Sequence, residues 1–546
     1  MLSYRACRTC SRSILTQRST SRAWSAVRFL ATTLLAGLVT PSAPAVASES
    51  ASLSAAMASI TSDDLQRHVD VLADDIFEGR EAGSRGGRAA ATYLRKALRQ
   101  AGMVGVAARG AFFQEFSGGY RNLLCILPGS DARLKDEYVL VSAHYDHVGY
   151  GSRRNSYGPI GLIHNGADDN ASGCAAILEL VEAFGQLDPS PRRSIVFALW
   201  DGEEKGLLGS RHWVAHPTVP IGRVRIALNM DMIGRLRNER LEVGGTRTTR
   251  GTRRIFSSAN EAANLQLNFT WKLVANSDHW SFRERNIPSV FVHTGLHGDY
   301  HRPSDDAHLI NAEGSRRVVR VVFQTVYQWA ESESLANYRV AGSRETETTR
   351  RWRERPLRSL PARLGVRWLR QPAAAEDEGG VVLRAVRPGS PADRAGLHVG
   401  DRMEQFAGRP IRNGDDLRMA VATAPREAEV VIVRPEEGPD GPPTPHIVTV
   451  ALAGQPVRVG ISWRADDGEP GLALLTRVVP GSPAQTAGLR VGDRIYAVDN
   501  AELEKRGDLA RRLKGASGSV SLLVENRGRL RSVTLDLPPT AKTGQP

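Results

Sequence analysis

Five short segments of the chain concentrate histidine, aspartate and glutamate, and each lies after or near a stretch that is predicted to form a β-strand. The segments read SAHYDHVG, GADDNASG, ALWDGEEKGLLGS, LNMDMIG and GDYHRPSDD. Because ligands of open α/β sheets bind where loops converge at the carboxyl ends of the strands, we expect these segments to meet. Two imidazoles and several carboxylates in one place suit Zn²⁺, and a shared carboxylate would hold two ions.

Taken singly, most of these residues have an ordinary structural explanation. His144 ends a predicted strand, and Asp146 stands two residues on, where its carboxylate could fix the tautomer of the imidazole. Asp169 lies in a turn before a predicted helix, where Asp or Ser commonly caps the first turn. The adjacent acids Glu203 and Glu204 are harder to explain, because neighbouring carboxylates repel each other. Such a pair suits a division between metal binding and proton transfer.

Two further residues complete the set. Asp231 stands between apolar residues at another strand end, and a buried lone carboxylate is costly unless it is paired or binds a metal. His301 follows in a loop of polar turn residues. The combination therefore indicates a metal site, although no single segment does.

In this order the segments resemble the motifs of the M28 family of zinc aminopeptidases, over residues 61–336. The resemblance implies that Glu204 and His301 hold one zinc ion and that His144 and Asp231 hold the second. Asp169 would bridge the two ions, because the family places its bridging acid three residues before the Ser of a D-x-x-S-G turn. Co²⁺ and Mn²⁺ are possible substitutes, since carboxylate-rich sites also accept them.

The resemblance also implies roles around the metal ligands. Glu203 would be the general base, and Asp146 would contact His144 without binding a metal ion itself. The peptide bond between Asp169 and Asn170 is expected to be cis. Asp278 and His279 lie where the family often lines its pocket, either contacting substrate or only supporting the site. The donor to the tetrahedral oxyanion is not identified by the sequence.

Over residues 61–336, short β-rich runs alternate with longer helical ones. This pattern predicts an α/β fold with a mostly parallel central sheet and helices on both faces, as in zinc exopeptidases. The predicted strands are Tyr138–Ala143, Ser194–Leu199, Val224–Met230 and Ser289–His293, and the predicted helices include Gly87–Ala101, Ser172–Phe184 and Ala312–Trp329.

Beyond this domain the chain repeats itself. Residues 388–401 read PGSPADRAGLHVGD and residues 480–493 read PGSPAQTAGLRVGD, which indicates two copies of one small domain. Each copy resembles a PDZ domain, which implies a small β-rich fold and the capture of protein C-termini or extended peptides at a sheet edge. The loops at Gly365 and Gly460 could receive a terminal carboxylate. Peptide binding and a purely structural role both stay open.

The predicted division of the chain begins with a signal peptide. An Arg-rich start, an apolar run at Phe29–Val39 and the small-residue site Ala45-Val46-Ala47 predict export to the periplasm or beyond. A retained membrane anchor and a transit peptide are the alternatives. The predicted ranges are 1–47 for the leader, 48–336 for the peptidase-like domain, 337–358 for a linker, 359–454 and 455–538 for the PDZ-like domains, and 539–546 for a tail.

Composition excludes several other classes of protein. With 41% hydrophobic and 24% charged residues among 546, the chain has the composition of an ordinary globular protein of several domains. The formal net charge of +13 includes six arginines of the first 28 residues, and 13 − 6 leaves +7. The remaining arginines are scattered among acids, so we expect no nucleic-acid binding. No transmembrane segment is expected beyond the leader. Cys125 and Cys174 are too few for a disulfide scaffold.

The preferred function is that of an aminopeptidase that acts on peptides through a zinc-activated water. A carboxypeptidase or another amidohydrolase on the same fold, including the glutaminyl-cyclase-like relatives that use one zinc ion, is the first alternative. An inactive scaffold that binds peptides through its PDZ-like repeats is the second. The complete ligand set, together with Glu203, argues against that scaffold.

Overall fold

The computed structural model describes residues 43–368, 379–435 and 444–538. The predicted signal peptide and tail therefore lie almost wholly outside the described residues. No helix within the described ranges is long and apolar enough to cross a bilayer. The helices of the first part are α1 (Ala43–Ser59), α2 (Ser62–Leu72), α3 (Arg85–Gln100), α4 (Gly173–Gly185), α5 (Leu208–Ala215), α6 (Thr252–Ala259), α7 (His279–Glu284), α8 (Ala312–Glu331) and α9 (Glu347–Glu354).

Nine strands form the central sheet of the first domain. They are β1 (Val104–Gly105), β2 (Phe113–Phe116), β3 (Tyr120–Leu127), β4 (Tyr138–His144), β5 (Ser194–Trp200), β6 (Val224–Met230), β7 (Arg240–Gly244), β8 (Gln266–Thr270) and β9 (Ser289–His293). The order is β1-β3-β5-β4-β6-β9-β7-β8, with β2 paired to β3. Neighbours among β5, β4, β6 and β9 run parallel, whereas β3 and β7 pair antiparallel with the two ends of that group. The predicted α/β fold is confirmed, and the sheet is mixed because its margins are antiparallel.

Helices cover both faces of this sheet. On β4, Val139 and Val141 point into a core shared with α4 and α8, while Leu140 points into a second core shared with Trp213 of α5 and Phe282 of α7. This alternation follows from the two-residue period of a strand, and both faces are apolar because both are covered. The four predicted strands and three predicted helices are present with bounds that differ by at most two residues.

Two small β-rich domains follow, with the same strand order in both. The first contains β10 (Val366–Trp368), β11 (Val381–Val386), β12 (Arg402–Phe406), β13 (Arg409–Pro410), β14 (Glu427–Arg434) and β15 (Thr444–Ala451), with helices α10 (Pro391–Arg394) and α11 (Gly414–Thr423). The second contains β16 (Ile461–Asp466), β17 (Glu469–Val478), β18 (Arg494–Val498), β19 (Ala501–Glu502), β20 (Gly518–Asn526) and β21 (Arg529–Leu537), with α12 (Pro483–Thr486) and α13 (Asp508–Gly515). The predicted duplication is therefore visible in the topology.

The two glycines predicted to form peptide-binding loops have a structural reason of their own. Gly365 and Gly460 have φ angles of +89° and +90°. A Cβ atom at either position would lie 2.4 or 2.1 Å from the Cβ atom of Ser390 or Ser482, respectively. Both positions therefore require glycine, because the left-handed backbone and the close approach each exclude a side chain.

The second β-rich domain packs against the first domain through buried ion pairs, which we call the docking interface. Arg247 donates to Asp466 at 2.8 and 2.9 Å and also pairs with Glu345, which belongs to the segment predicted as a linker. Arg253 donates to both carboxylate oxygens of Glu525 at 2.9 and 3.0 Å. All five side chains are at most 11% exposed. The second domain is therefore joined to the first by more than the covalent chain.

The two cysteines left open by the sequence are both buried and unpaired. Cys125 lies on β3 and Cys174 lies at the start of α4. The described part of the chain thus holds its fold without a bond between them.

Candidate metal centre

The five predicted metal ligands converge at the carboxyl edge of the parallel strands. His144 is the last residue of β4, and Asp231 directly follows β6. Asp169 lies in the turn before α4, Glu204 lies in the turn after β5, and His301 lies in the loop after β9. The sheet therefore brings together all five residues that the sequence placed in separate loops.

These residues form two groups that share one carboxylate. In the first group, Nε2 of His144 lies 3.3 Å from Oδ1 of Asp169 and 3.3 Å from Oδ1 of Asp231. In the second group, Nε2 of His301 lies 3.1 Å from Oδ2 of Asp169 and 3.2 Å from Oε2 of Glu204. Asp169 thus offers one oxygen to each group, which is the arrangement of a bridging ligand.

The spacing of the donor atoms fits zinc. Ligand bonds of about 2.0 Å in a tetrahedral site place neighbouring donor atoms about 3.3 Å apart. The four separations in the two groups, 3.1 to 3.3 Å, match that value. The Nε2 atom of His301 is buried and makes no hydrogen bond of acceptable geometry in the described structure, which leaves its lone pair for an ion. The donor set therefore suits two Zn²⁺ ions.

The electrostatics of the site separate the two adjacent glutamates. Burial raises the pKa of Glu203 well above its usual range, and the charge of Glu204 adds to the effect. For Glu204, burial raises the pKa, but the nearby imidazoles of His147 and His301 outweigh burial and lower it. Burial thus makes Glu203 the stronger proton acceptor of the two, as expected for a proton carrier beside a metal ligand.

Asp146 supports the site differently from the sequence-based prediction. Nδ1 of His144 lies 3.1 Å from the main-chain oxygen of Asp146 and 3.8 Å from its carboxylate, so the imidazole contacts the main chain. The carboxylate instead accepts the N–H groups of Glu203 and Glu204 at 3.0 and 3.3 Å. Asp146 is fully buried and therefore orients the turn that carries both glutamates.

Three further residues contact the site without having been predicted there. Nδ1 of His147 lies 3.0 Å from Oε1 of Glu204, which leaves Oε2 facing the shared group. The hydroxyl of Ser277 donates to Oδ2 of Asp231 at 2.7 Å. The ring of Tyr300 stacks on His301 with centroids 3.9 Å apart, and burial together with the site carboxylates raises its pKa. Only the position of Tyr300 next to His301 could have indicated such a role.

The two predicted pocket residues differ in their surroundings. Asp278 is fully buried, and burial raises its pKa to about 7, although the charge of His144 opposes the shift. His279 stacks on Phe291 with centroids 4.6 Å apart, and its Nε2 lies 3.1 Å from the main-chain oxygen of Val274. Burial lowers the pKa of His279 to about 3. His279 thus packs as a neutral side chain, whereas Asp278 faces the charged site.

Comparison with known proteins identifies the families that parts of the chain match. Residues 122–326 match the sequence profile of peptidase family M28, and residues 382–434 and 474–526 match that of the PDZ domain. The chain carries a peptidase family M28 domain and two PDZ domains. The M28 match contains all five segments completely, including the bridging Asp169 and His301.

Curated relatives are similar to part of the chain. Leupeptin-inactivating enzyme 1 of Streptomyces exfoliatus is 30% identical over 28% of this chain and 31% of its own length. Leucine aminopeptidase 1 of Arthroderma otae is 27% identical over 44% of this chain and 65% of its own. Aminopeptidase YwaD of Bacillus subtilis is 28% identical over 36% of this chain and 42% of its own. The chain therefore spans about one third to two thirds of the length of these relatives.

Solved structures are similar to about half of the chain. The LapA aminopeptidase of Legionella pneumophila is 21% identical, with a TM-score of 0.43 over 52% of this chain and 76% of its own. BSAP, a zinc aminopeptidase from Bacillus subtilis, is 17% identical, with a TM-score of 0.41 over 50% of this chain and 97% of its own.

Proposed function

We propose that the protein is a metal-dependent aminopeptidase that removes N-terminal residues from peptides and uses two Zn²⁺ ions. The observation that carries the proposal is the carboxylate of Asp169, which offers one oxygen to each of two buried ligand groups. The names of the relatives support cleavage at the amino end of peptides, because the relatives that align over 263 and 211 residues are aminopeptidases. A probable glutamate carboxypeptidase is 35% identical over 96 residues only.

Zinc bound by these ligands would lower the pKa of a coordinated water and polarise the scissile carbonyl. Glu203 accepts the proton of the attacking water and returns it to the leaving amine, and burial, which raises its pKa, strengthens it as a proton acceptor. The carboxylate of Asp146 accepts the main-chain N–H groups of Glu203 and Glu204. These contacts fix the position of Glu203 relative to Glu204. Tyr300 remains a phenol at neutral pH, and we assign its O–H as the donor to the developing oxyanion.

The test compares residues 48–546 with the Glu203→Ala variant on aminoacyl-anilides, N-blocked peptides and C-blocked peptides. We expect cleavage of free-amine substrates only, about two zinc ions per chain in both proteins, and loss of activity in the variant. Glu182→Ala, an exposed acid on α4, is the matched control. Equal cleavage of N-blocked substrates would contradict the amino-end assignment. A chain that binds no metal and cleaves nothing would favour the scaffold instead.

We also propose that the first PDZ domain binds an extended peptide in a groove between β10 and α11. The cavity measures about 960 Å³ and is lined by Leu364, Val366, Trp368, Leu417 and Val421, with Val478, Val479 and Pro480 of the second PDZ domain on the far side. Arg363 does not serve as the anchor, because it donates to the carbonyls of Ala422 and Ala424 at the end of α11. A terminal carboxylate would instead be received by main-chain N–H groups at Gly365.

Fluorescence titration with an N-blocked pentapeptide ending in valine, and with its C-terminal amide, tests this groove. We expect the free acid to bind at least tenfold more tightly than the amide. Val421→Asp should abolish binding, whereas Val399→Asp, on an exposed side chain, should not. Equal binding of acid and amide removes the role of the carboxylate, and no binding of either leaves a structural domain.

We infer from residues 1–47 that the protein is exported. Expression of the full chain, followed by fractionation and N-terminal sequencing, tests this inference. A periplasmic or secreted product that begins near Ser48 supports cleavage, a full-length product in the membrane supports a retained anchor, and a cytoplasmic product contradicts export.

A further inference from the structure

A buried clamp holds the main chain that leads into the bridging Asp169. We infer that Asp305 and Arg80 are positioning residues of the metal centre, which fix this carboxylate between the two ligand groups. The inference rests on the proposed two-metal site and goes beyond its ligands. Neither residue belongs to the ligand set or contacts the proposed proton carrier.

Asp305 binds the segment that leads into Asp169 through three successive amides. Its Oδ2 atom accepts the N–H groups of Asp168 and Asp169 at 3.0 and 3.1 Å, and its main-chain oxygen accepts the N–H of Ala167 at 2.9 Å. The side chain of Asp305 is fully buried. A buried carboxylate that accepts two consecutive N–H groups fixes the orientation of both peptide planes, because leaving them unpaired there would be costly.

Arg80 holds the preceding residues from the other side. Its guanidinium donates to the main-chain oxygens of Asn165 and Gly166 at 2.6 and 2.8 Å, and to that of Tyr145 at 3.0 Å. Tyr145 directly follows the ligand His144, so one buried side chain ties two ligand-bearing segments together. Arg80 has no exposed surface, and the charges of Asp169 and Asp305 favour its cationic form although burial lowers its pKa.

Asp305 and Arg80 both hold the segment that carries Asp169, the ligand that both groups share. His144 and Asp231 belong to one group and His147, Glu204 and His301 to the other, whereas Asp169 belongs to both. Asp305 also stands four residues after the ligand His301, so it connects the loop that carries His301 to the turn that carries Asp169. A displacement of the Asp169 main chain must therefore weaken both sites at once, whereas a change at any other ligand weakens one.

Metal affinity separates this role from a general contribution to folding. We would measure the dissociation of both zinc ions by competition with a chromophoric chelator, for Asp305→Ala, Asp305→Asn and wild type. Outer contacts of metal ligands typically contribute about 10- to 100-fold to affinity, so Asp305→Ala should weaken both ions by that factor. Asp305→Asn keeps one acceptor oxygen and should lose less zinc affinity than Asp305→Ala. Absorption spectra of Co²⁺-loaded protein should change at both sites.

The matched control is Asp306→Asn. Asp306 is the next residue in the chain, and its carboxylate accepts only the side-chain N–H of Asn165, at 3.3 Å, among the contacts described. We expect this variant to bind both ions within about twofold of wild type. Arg80→Lys keeps the charge but loses the fork geometry, and it should also weaken both ions.

The outcomes are distinguishable. Folded Asp305→Ala with wild-type affinity for both ions, or with only one ion weakened, overturns the inference. If that variant does not fold, the same criteria apply to Asp305→Asn. A wild-type chain that binds fewer than two ions overturns the proposed two-metal function, and the inference falls with it.

Discussion

Removal of Arg247 should loosen the docking interface between the M28 domain and the second PDZ domain. The Arg247→Ala substitution leaves Asp466 and Glu345, which are 6% and 11% exposed, without their main cation. Breaking a buried pair on one side typically costs about 3–5 kcal/mol. Arg339 still pairs with Glu345 at 2.7 Å, and Arg353 lies 3.7 Å from Asp466, so we expect the lower end, about 3 kcal/mol.

The guanidinium also lies 3.8 Å from the ring centre of Trp271, and that contact is lost as well. For a cooperative unit of roughly 370 residues, a loss of about 3 kcal/mol corresponds to a Tm lower by about 4 °C. Differential scanning fluorimetry measures this shift, with Arg240→Ala as the control. Arg240 is 60% exposed in its pair with Glu242, so its removal should cost about 0.2–1 kcal/mol.

A second substitution should recover part of the lost stability. Asp466→Asn in the Arg247→Ala background removes one uncompensated charge and should restore part of the lost Tm. Equal Tm values for Arg247→Ala and Arg240→Ala would refute the view that this interface is a stabilising contact.

Three other predictions concern separate parts of the chain. Tyr300→Phe should lower kcat by about 10²–10³ with little change in KM if its O–H stabilises the oxyanion, and steady-state kinetics would contradict that role if KM alone changed. Burial raises the pKa of Glu179 from 4.5 to about 7, so its native state binds a proton more tightly than the unfolded state, and stability falls as pH rises between those values. Glu179→Gln should therefore gain Tm relative to wild type between about pH 5 and about pH 8, and a constant difference would refute the assignment. Gly460→Ala should destabilise the second PDZ domain by about 1–3 kcal/mol, whereas Gly515→Ala, with nothing near its Cβ position, should not, as urea denaturation can show.

Much of the fold and the ligand set could be predicted because the signals are local. Strands such as Val224–Met230 are apolar runs followed at once by a polar site residue, and a parallel centre then places those residues at one edge. The antiparallel margins were not predicted, because β7 and β8 are short and only half apolar. Their pairing depends on which neighbours remain free once the centre has formed.

The partners of the site residues were less accessible to sequence reasoning. The contact of His144 with the main-chain oxygen of Asp146, and the use of the Asp146 carboxylate by Glu203 and Glu204, depend on a turn geometry that the residue types do not specify. Arg80 was missed for a related reason. It lies 64 residues before His144, and nothing in its neighbourhood distinguishes a buried guanidinium from an exposed one.

The docking interface also bears on the history of the duplicated domain. Glu525 of β20, which binds Arg253, corresponds by the 92-residue offset to Val433 of β14, a buried apolar residue. Likewise Arg494 of β18 corresponds to Arg402 of β12. Arg494 lies opposite Glu525 in the sheet of the later copy, and Arg402 lies opposite Val433 in that of the earlier copy. The earlier copy thus lacks the carboxylate that pairs with Arg253 in the later copy. An exchange of the order of the two copies in the chain would therefore place a hydrocarbon side chain opposite the buried Arg253.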